Sequence, residues 1–215
     1  MKRKGQLVMI HGGMTFKSRA GYLDFLRNRP IALEREPSWS AGWLDKKLGK
    51  DYDIIRPSMP LSENARYEDW KIHFERYVPL LRDGVVLAGR SLGGMFLAQY
   101  LAERPFPKKI RAVLLICPPF DGSLSREDLA GGFKLPKDLS LLAGSTKHLQ
   151  LLFSADDETV PAAHAEKYRR KLPGAAITVY PSKHGHFRIS TFPEFVKLLR
   201  DTEPGRALAR GPKRG

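Results

Sequence analysis

The sequence predicts a three-layer α/β fold, with a six-stranded, mostly parallel sheet, helices on both faces and no large lid domain. Six short apolar runs are bounded by turn residues, and amphipathic helical patterns lie between them. The runs do not alternate between polar and apolar residues, which is typical of parallel strands covered by helices on both faces. These patterns fill residues 1–202, so we expect one domain there and a basic, flexible tail over 203–215.

The apolar runs predict the strands in chain order. They cover residues 6–10, 52–56, 85–89, 110–117, 149–154 and 176–180. The connection 11–51 is long enough for two helices. We expect the first strand to lie between the second and the third.

The segments between the strands carry the helical pattern. In residues 65–81 the apolar side chains fall three or four positions apart, which predicts one buried face; they are Tyr67, Trp70, Phe74, Tyr77 and Leu81. A further helix begins directly after Pro161, which suits a first helical turn. The last helix, 191–200, opens with Thr191 and Glu194 at the spacing of a capping box.

Composition narrows the class of protein. The net charge of +14 is compatible with nucleic-acid binding. However, the two ends of the chain supply six of these charges, and the rest of the sequence has no dense basic block. Nucleic acid is therefore not the expected partner. Cys117 is the single cysteine, which excludes an internal disulfide framework. The apolar stretch 7–10 is too short for a signal-peptide core, and no run approaches 18 apolar residues. We expect a cytoplasmic protein without a membrane partner, and its oligomeric state stays open.

The segment Gly89-Arg90-Ser91-Leu92-Gly93 is a G-x-S-x-G pentapeptide between an apolar strand and a helical pattern. Such a turn presents the serine hydroxyl at the carboxyl edge of the sheet, beside a helix N-terminus. A tight turn without catalysis is the alternative. A dinucleotide-binding turn is disfavoured because it needs a glycine at the position of Ser91. The context predicts Ser91 as a nucleophile.

A serine nucleophile needs a base to take its proton. The loop "SKHGHF" directly follows the last strand, at the same edge of the sheet as Ser91, and Gly185 gives it a flexible approach. His186 is therefore the predicted base, with His184 as the alternative. His73 and His164 fall in helical patterns and are expected to be structural or solvated, and His11 is expected to orient its own loop.

The base needs a carboxylate to fix its tautomer and stabilise its charged form. Asp156 and Asp157 follow the fifth strand, and the segment D-x-x-V-P places a turn and a helix start just after Asp157. Asp157 is the predicted partner of His186, whereas Asp156 is expected to cap the turn. Zinc bound by His184 and His186 with one of these aspartates is the metal alternative, but no third histidine or cysteine has a matching context. We therefore expect no metal and no cofactor.

An acyl-transfer site also needs two N–H donors for the oxyanion. Leu92, which follows the serine, and Gly13, in the loop after the first strand, are the predicted donors, with Met14 next after Gly13. With no large lid, short loops near Met14 and Phe120 are expected to bind the substrate. The Trp39–Trp43 stretch is expected to cover them.

The strand-end segments "HGG", "GRSLGG", "SADDETVP" and "GHF" together resemble those of the α/β-hydrolase superfamily. The "PSMP" and "PPF" segments and the "GHF…FPE" ending are similar to the small lidless serine hydrolases of the retinoblastoma-binding-protein type and their bacterial relatives. The resemblance covers residues 6–200. It implies a catalytic triad of Ser91, His186 and Asp157, and ester hydrolysis.

These expectations combine into a carboxylesterase that cleaves small, short-chain esters through an acyl-enzyme. The alternatives are an amidase or peptidase with the same triad, and a low-turnover binding protein on the same scaffold. Arg90 departs from the family pattern, because histidine commonly precedes the nucleophile there. Its guanidinium is expected either to pair with a nearby carboxylate or solvent, or to bind a carboxylate of the substrate.

Overall fold

A six-stranded, all-parallel sheet forms the middle layer of the computed structural model, which describes residues 3–31, 33, 38–125 and 127–203. The strands are β1 (Gly5–Ile10), β2 (Tyr52–Ile55), β3 (Val85–Arg90), β4 (Ile110–Ile116), β5 (Leu149–Ser154) and β6 (Ala176–Tyr180). Their order is β2-β1-β3-β4-β5-β6, which confirms the predicted place of the first strand. The strand order reverses between β1 and β3, and ligands of open α/β sheets bind at the carboxyl side of such a switch point.

Seven α-helices flank the sheet in the described part of the chain. They are α1 (Arg19–Asn28), α2 (Leu44–Leu48), α3 (Tyr67–Glu75), α4 (Leu92–Glu103), α5 (Ser140–Gly144), α6 (Ala163–Lys171) and α7 (Pro193–Asp201). None of them is long and apolar enough to cross a membrane. The predicted α/β fold is confirmed, and the predicted tail lies outside the described residues from 204 onward.

Two of the predicted helices differ from those observed. The pattern over 65–81 breaks after Glu75 and continues as a 3₁₀ turn at Val78–Leu80, because Pro79 in this turn cannot donate the hydrogen bond of a helix interior. The prediction of a capping box at Thr191 is wrong as well. The N-cap residue of α7 is Phe192, and its side chain makes no capping hydrogen bond.

The strands bury side chains on both faces. Val85 and Leu87 of β3 point into one core with α3 and α4, whereas Val86 and Ala88 point into the other core with α2 and α7. All four side chains are almost completely excluded from water. This two-sided burial explains why the strand sequences are continuously apolar.

Glycines bring the first helix turn of α4 against two strand ends. A β-carbon on Gly93 would lie 2.3 Å from the carbonyl oxygen of His11, and one on Gly89 would lie 2.4 Å from the carbonyl oxygen of Gly93. No other residue type fits at either position without moving backbone. The loop after β1, the end of β3 and the start of α4 therefore meet at one edge of the sheet.

Candidate active site

Ser91 occupies the sharp turn between β3 and α4. Its φ of 52° and ψ of −125° are strained for a residue with a side chain, and only 8% of its surface is exposed. Its backbone N–H donates to the Ile116 carbonyl at 2.7 Å, and its carbonyl accepts hydrogen bonds from Gly94 and Met95. Gly12 lies directly against the Ser91 side chain. The surrounding backbone thus fixes the conformation of this turn.

His186 lies in a tight loop after β6. His184, Gly185 and Phe187 all have positive φ angles, which turns the chain sharply on both sides of His186. The Phe187 ring is 1% exposed and packs against the ring of Phe192, the residue that precedes α7. The Arg90 guanidinium donates from Nη2 to the His186 carbonyl oxygen at 2.8 Å. This contact braces the His186 loop, and whether Arg90 also binds a carboxylate of the substrate stays a prediction.

Asp157 and His186 form a buried pair. His186 Nδ1 donates to Asp157 Oδ2 at 2.8 Å, and the Asp157 side chain is completely buried. Asp157 Oδ1 also accepts the backbone N–H groups of Thr159 and Val160, each at 2.9 Å. Burial raises the pKa of the Asp157 carboxyl, but the hydrogen bonds and the charge of His186 outweigh burial and lower it. Asp157 is therefore held as a carboxylate that fixes the orientation of the imidazole.

Asp156 and His184 do not join this pair. Asp156 is exposed, and its carboxylate accepts hydrogen bonds from the hydroxyls of Ser154 and Ser182 and from the backbone N–H of Lys183. These hydrogen bonds lower the pKa of Asp156. His184 is also exposed. The structure separates the two aspartates as expected, with Asp156 in a loop-bracing position, and it does not assemble the alternative zinc set.

Cys117 is a residue of this site that the sequence analysis missed. It directly follows β4, has a φ of 41° and is completely buried, and its Sγ lies 3.8 Å from His186 Nε2. Arg90 pairs with Ile116 across β3 and β4, so Ser91 and Cys117 occupy matching positions just beyond the two strands. The position of Cys117 directly after an apolar strand, like that of Ser91, was the signal in the sequence that could have placed it in the site. Burial lowers the pKa of His186, whereas the sulfur of Cys117 and the Asp157 carboxylate raise it by more, so the net shift is upward.

The loop after β1 contains Gly13, one of the two predicted oxyanion donors, and its alternative Met14. The Met14 N–H donates to the Ser62 carbonyl at 2.8 Å, so Met14 is committed to the loop's own structure. A β-carbon on Gly13 would lie 2.7 Å from the same carbonyl, which restricts that position to glycine. Leu92 is the first residue of α4. The roles of Gly13 and Leu92 as oxyanion donors stay predictions.

His11 shapes the same loop. Its Nδ1 donates to the Gly12 carbonyl at 2.6 Å, while its Nε2 accepts the Met59 N–H at 3.0 Å. Its ring also lies edge-on to Trp70. Both ring nitrogens are therefore engaged in orienting the loop, as expected.

Phe120 and the Trp39–Trp43 stretch lie on opposite sides of the sheet. Phe120 is half-buried, and its ring lies edge-on against Tyr168 with 5.0 Å between ring centroids. Trp39 is completely buried against Phe192, which precedes α7, and Phe195 of α7. The expectation that the Trp39–Trp43 stretch covers the substrate loops is wrong, because the indole of Trp39 fills a core on the other side of the sheet from Phe120.

A second missed residue lies in the loop between β4 and α5. Thr15 pairs with Asp128 in an isolated bridge, which ties this loop to the loop after β1. The neighbouring Glu127 is half-buried, and the charges of His186 and Asp157 act on it. Burial is the main cause that raises the pKa of Glu127. The sequence of this irregular loop has no pattern that predicts a position near the site for this carboxyl group.

Comparison with known proteins identifies the family. The sequence profile described as "Serine hydrolase" matches residues 34–198, which is more than half of the chain. The chain belongs to the serine hydrolase family. It is 27% identical over 150 residues to the YdeN protein of Bacillus subtilis (strain 168), whose name classes it as a hydrolase without a substrate. That match spans 67% of this chain and 76% of the relative.

Solved structures share the fold of this chain, and together with the family match they confirm the resemblance to the α/β-hydrolases. The crystal structure of YdeN superimposes with a TM-score of 0.73 at 21% identity and covers 93% of this chain and 98% of YdeN. A carboxylesterase from the archaeon Nitrososphaera gives 0.58 at 14% identity, covering 92% of this chain and 89% of its own. An N-formylmaleamic acid deformylase from Pseudomonas putida S16 gives 0.58 at 12% identity and covers 92% of both chains. These likenesses concern the fold.

Proposed function

We propose that this protein is a carboxylesterase that cleaves small, short-chain esters through Ser91, His186 and Asp157. The observation that carries the proposal is the buried hydrogen bond from His186 Nδ1 to Asp157, beside a strained turn that holds Ser91. A histidine fixed in this tautomer keeps its Nε2 lone pair for a proton. This is the arrangement that a serine nucleophile requires.

In the proposed reaction, Ser91 Oγ attacks the ester carbonyl while His186 Nε2 takes the hydroxyl proton. The buried Asp157 carboxylate stabilises the imidazolium that results. His186 then returns the proton to the leaving alcohol, which leaves an acyl-enzyme on Ser91. Water repeats the same two steps on the acyl carbon and releases the acid.

The oxyanion of each tetrahedral intermediate is proposed to accept hydrogen bonds from the backbone N–H groups of Gly13 and Leu92. The engagement of the Met14 N–H by Ser62 supports Gly13 over Met14. Half-buried Met14 and Phe120 are proposed to contact the acyl group. Short loops offer little apolar wall, which favours small acyl chains.

An amidase is the second candidate. The fold shared with a deformylase supports it, just as the fold shared with a carboxylesterase supports the ester proposal. Both reactions use the same three side chains, and they differ in the leaving group that His186 must protonate. The proposal includes a single catalytic domain over 1–202, a cytoplasmic location and no cofactor.

A fluorophosphonate probe tests the proposal. We expect one label per chain on Ser91, no label in Ser91→Ala and full labelling in the control Ser123→Ala. Absence of label in the folded wild type overturns the enzyme proposal and favours a binding protein. Rates on p-nitrophenyl acetate and on the matched anilide then rank the esterase against the amidase.

A further inference from the structure

We propose that Cys117 and His186 chelate a thiophilic divalent cation such as Zn²⁺, and that the bound ion switches the catalytic site off. The sulfur of Cys117 and Nε2 of His186 face each other at 3.8 Å, and among the described residues neither atom has another hydrogen-bond partner. Cys117, Asp157 and His186 also bring their ligand atoms within 4.8 Å of one another.

The separation of the two ligand atoms fits a zinc ion. With zinc–sulfur and zinc–nitrogen bonds of about 2.3 and 2.05 Å, a tetrahedral angle places sulfur and nitrogen about 3.6 Å apart. The observed distance of 3.8 Å between Cys117 Sγ and His186 Nε2 is only slightly longer than this value. An ion can therefore insert between the two atoms with little backbone movement.

Asp157 completes the arrangement as the hydrogen-bond partner of the ligating histidine. Histidines that bind metal through one ring nitrogen usually donate the other ring N–H to a carboxylate. Here Nδ1 of His186 donates to Asp157, which leaves Nε2 directed at Cys117. The Asp157 carboxylate already accepts three hydrogen bonds, so it acts behind the histidine rather than as a ligand.

The ligand types of the proposed site select soft cations. A cysteine and a histidine bind zinc, cobalt and cadmium in preference to magnesium and calcium. The metal binds Cys117 as a thiolate and His186 as a neutral imidazole, so binding releases one proton from this pair to water. The His186 side chain keeps 12% exposure, and in the proposed site water fills the remaining coordination positions.

The inhibition rests on the proposed function, because it assumes that His186 uses its Nε2 lone pair as the catalytic base and that the metal occupies this lone pair. An imidazole bound to zinc cannot take the proton of Ser91. The chelation itself rests on geometry alone. The two claims therefore need separate readouts.

Cobalt absorption tests the chelation without any reaction. The full chain contains one cysteine, so a thiolate-to-cobalt charge-transfer band in the near ultraviolet reports Cys117 and nothing else. We expect one Co²⁺ per chain, displacement by Zn²⁺ and no competition from Mg²⁺. The band should vanish in Cys117→Ser, and Co²⁺ affinity should fall at least tenfold in His186→Ala and 10–100-fold in Asp157→Asn.

His184→Ala is the matched control, because it removes an exposed histidine from the same loop and leaves both ligand atoms in place. It should bind Co²⁺ like the wild type. A folded wild-type chain that gives no band, or a band of unchanged affinity in His186→Ala, overturns the chelate. If Co²⁺ gives the expected band but Zn²⁺ does not inhibit ester hydrolysis, the switch is overturned and the chelate stands. If the metal-free protein is not labelled by fluorophosphonate, the proposed function is overturned and the chelate is unaffected.

Discussion

Replacing Arg90 with methionine removes the guanidinium that braces the His186 loop. Its Nη2 donates to the His186 carbonyl oxygen at 2.8 Å, and Arg90 is partly buried. A hydrogen bond from a charged group contributes about 1.5–3 kcal/mol. If this contact positions the base, its loss lowers kcat/KM by about tenfold to 150-fold.

Steady-state kinetics on a neutral acetate ester give the decisive readout. We expect Arg90→Met to lower kcat with little change in KM, because Arg90 holds the backbone of the base. Arg90→Lys should recover part of the loss, because lysine keeps the charge and one donor. Arg188→Met is the matched control, since Arg188 forms an exposed ion pair with Glu158 in the same region, and such pairs contribute little.

A second ester separates positioning from recognition. A hemisuccinate ester carries its own carboxylate, and an arginine that binds this group would affect the hemisuccinate alone. If Arg90→Met raises KM for the hemisuccinate and leaves the acetate unchanged, Arg90 is a specificity residue and the bracing role is wrong. Equal losses in kcat on both esters support the brace.

Three further predictions concern the pair of aspartates, the oxyanion loop and alkaline stability. Asp157→Asn should lower kcat by about 10⁴-fold and Asp156→Asn by about tenfold or less; similar losses in both contradict the assignment. Gly13→Ala should destabilise the protein by about 1–3 kcal/mol because its β-carbon meets a backbone carbonyl, whereas Gly144→Ala has open space and should not lower Tm. Burial raises the pKa of Tyr67, so its neutral phenol stabilises the fold below about pH 10 and this stability declines as the pH rises further. Urea unfolding should therefore show a shallower alkaline decline in Tyr67→Phe, and an unchanged slope counts against this reason.

Much of the fold follows from local rules that the sequence displays. Apolar runs covered on both faces predict parallel strands, and all six strands are present within a residue or two of their expected bounds. The errors occur where two local rules compete. At Pro79 the missing N–H ends the helix although the apolar spacing continues, and at Thr191 the spacing of a capping box is not matched by the backbone.

Trp39 illustrates a different limit. A tryptophan-rich stretch near a predicted pocket is compatible with a cover or with a core, and the sequence does not fix on which face of the sheet the chain passes. The structure buries Trp39 against Phe192 and Phe195, where large apolar area gains most from leaving water. Tertiary packing decides this placement.

Cys117 was predictable by the rule that already gave Ser91. Residues that follow neighbouring parallel strands at the same register meet at the carboxyl edge, and the pairing of Arg90 with Ile116 makes Ser91 and Cys117 neighbours. Glu127 obeys no such rule, because it lies within an irregular loop whose path is set by the Thr15–Asp128 bridge. A residue one step beyond a strand is therefore located by the sheet, whereas a residue inside a long loop is located only by contacts between distant parts of the chain.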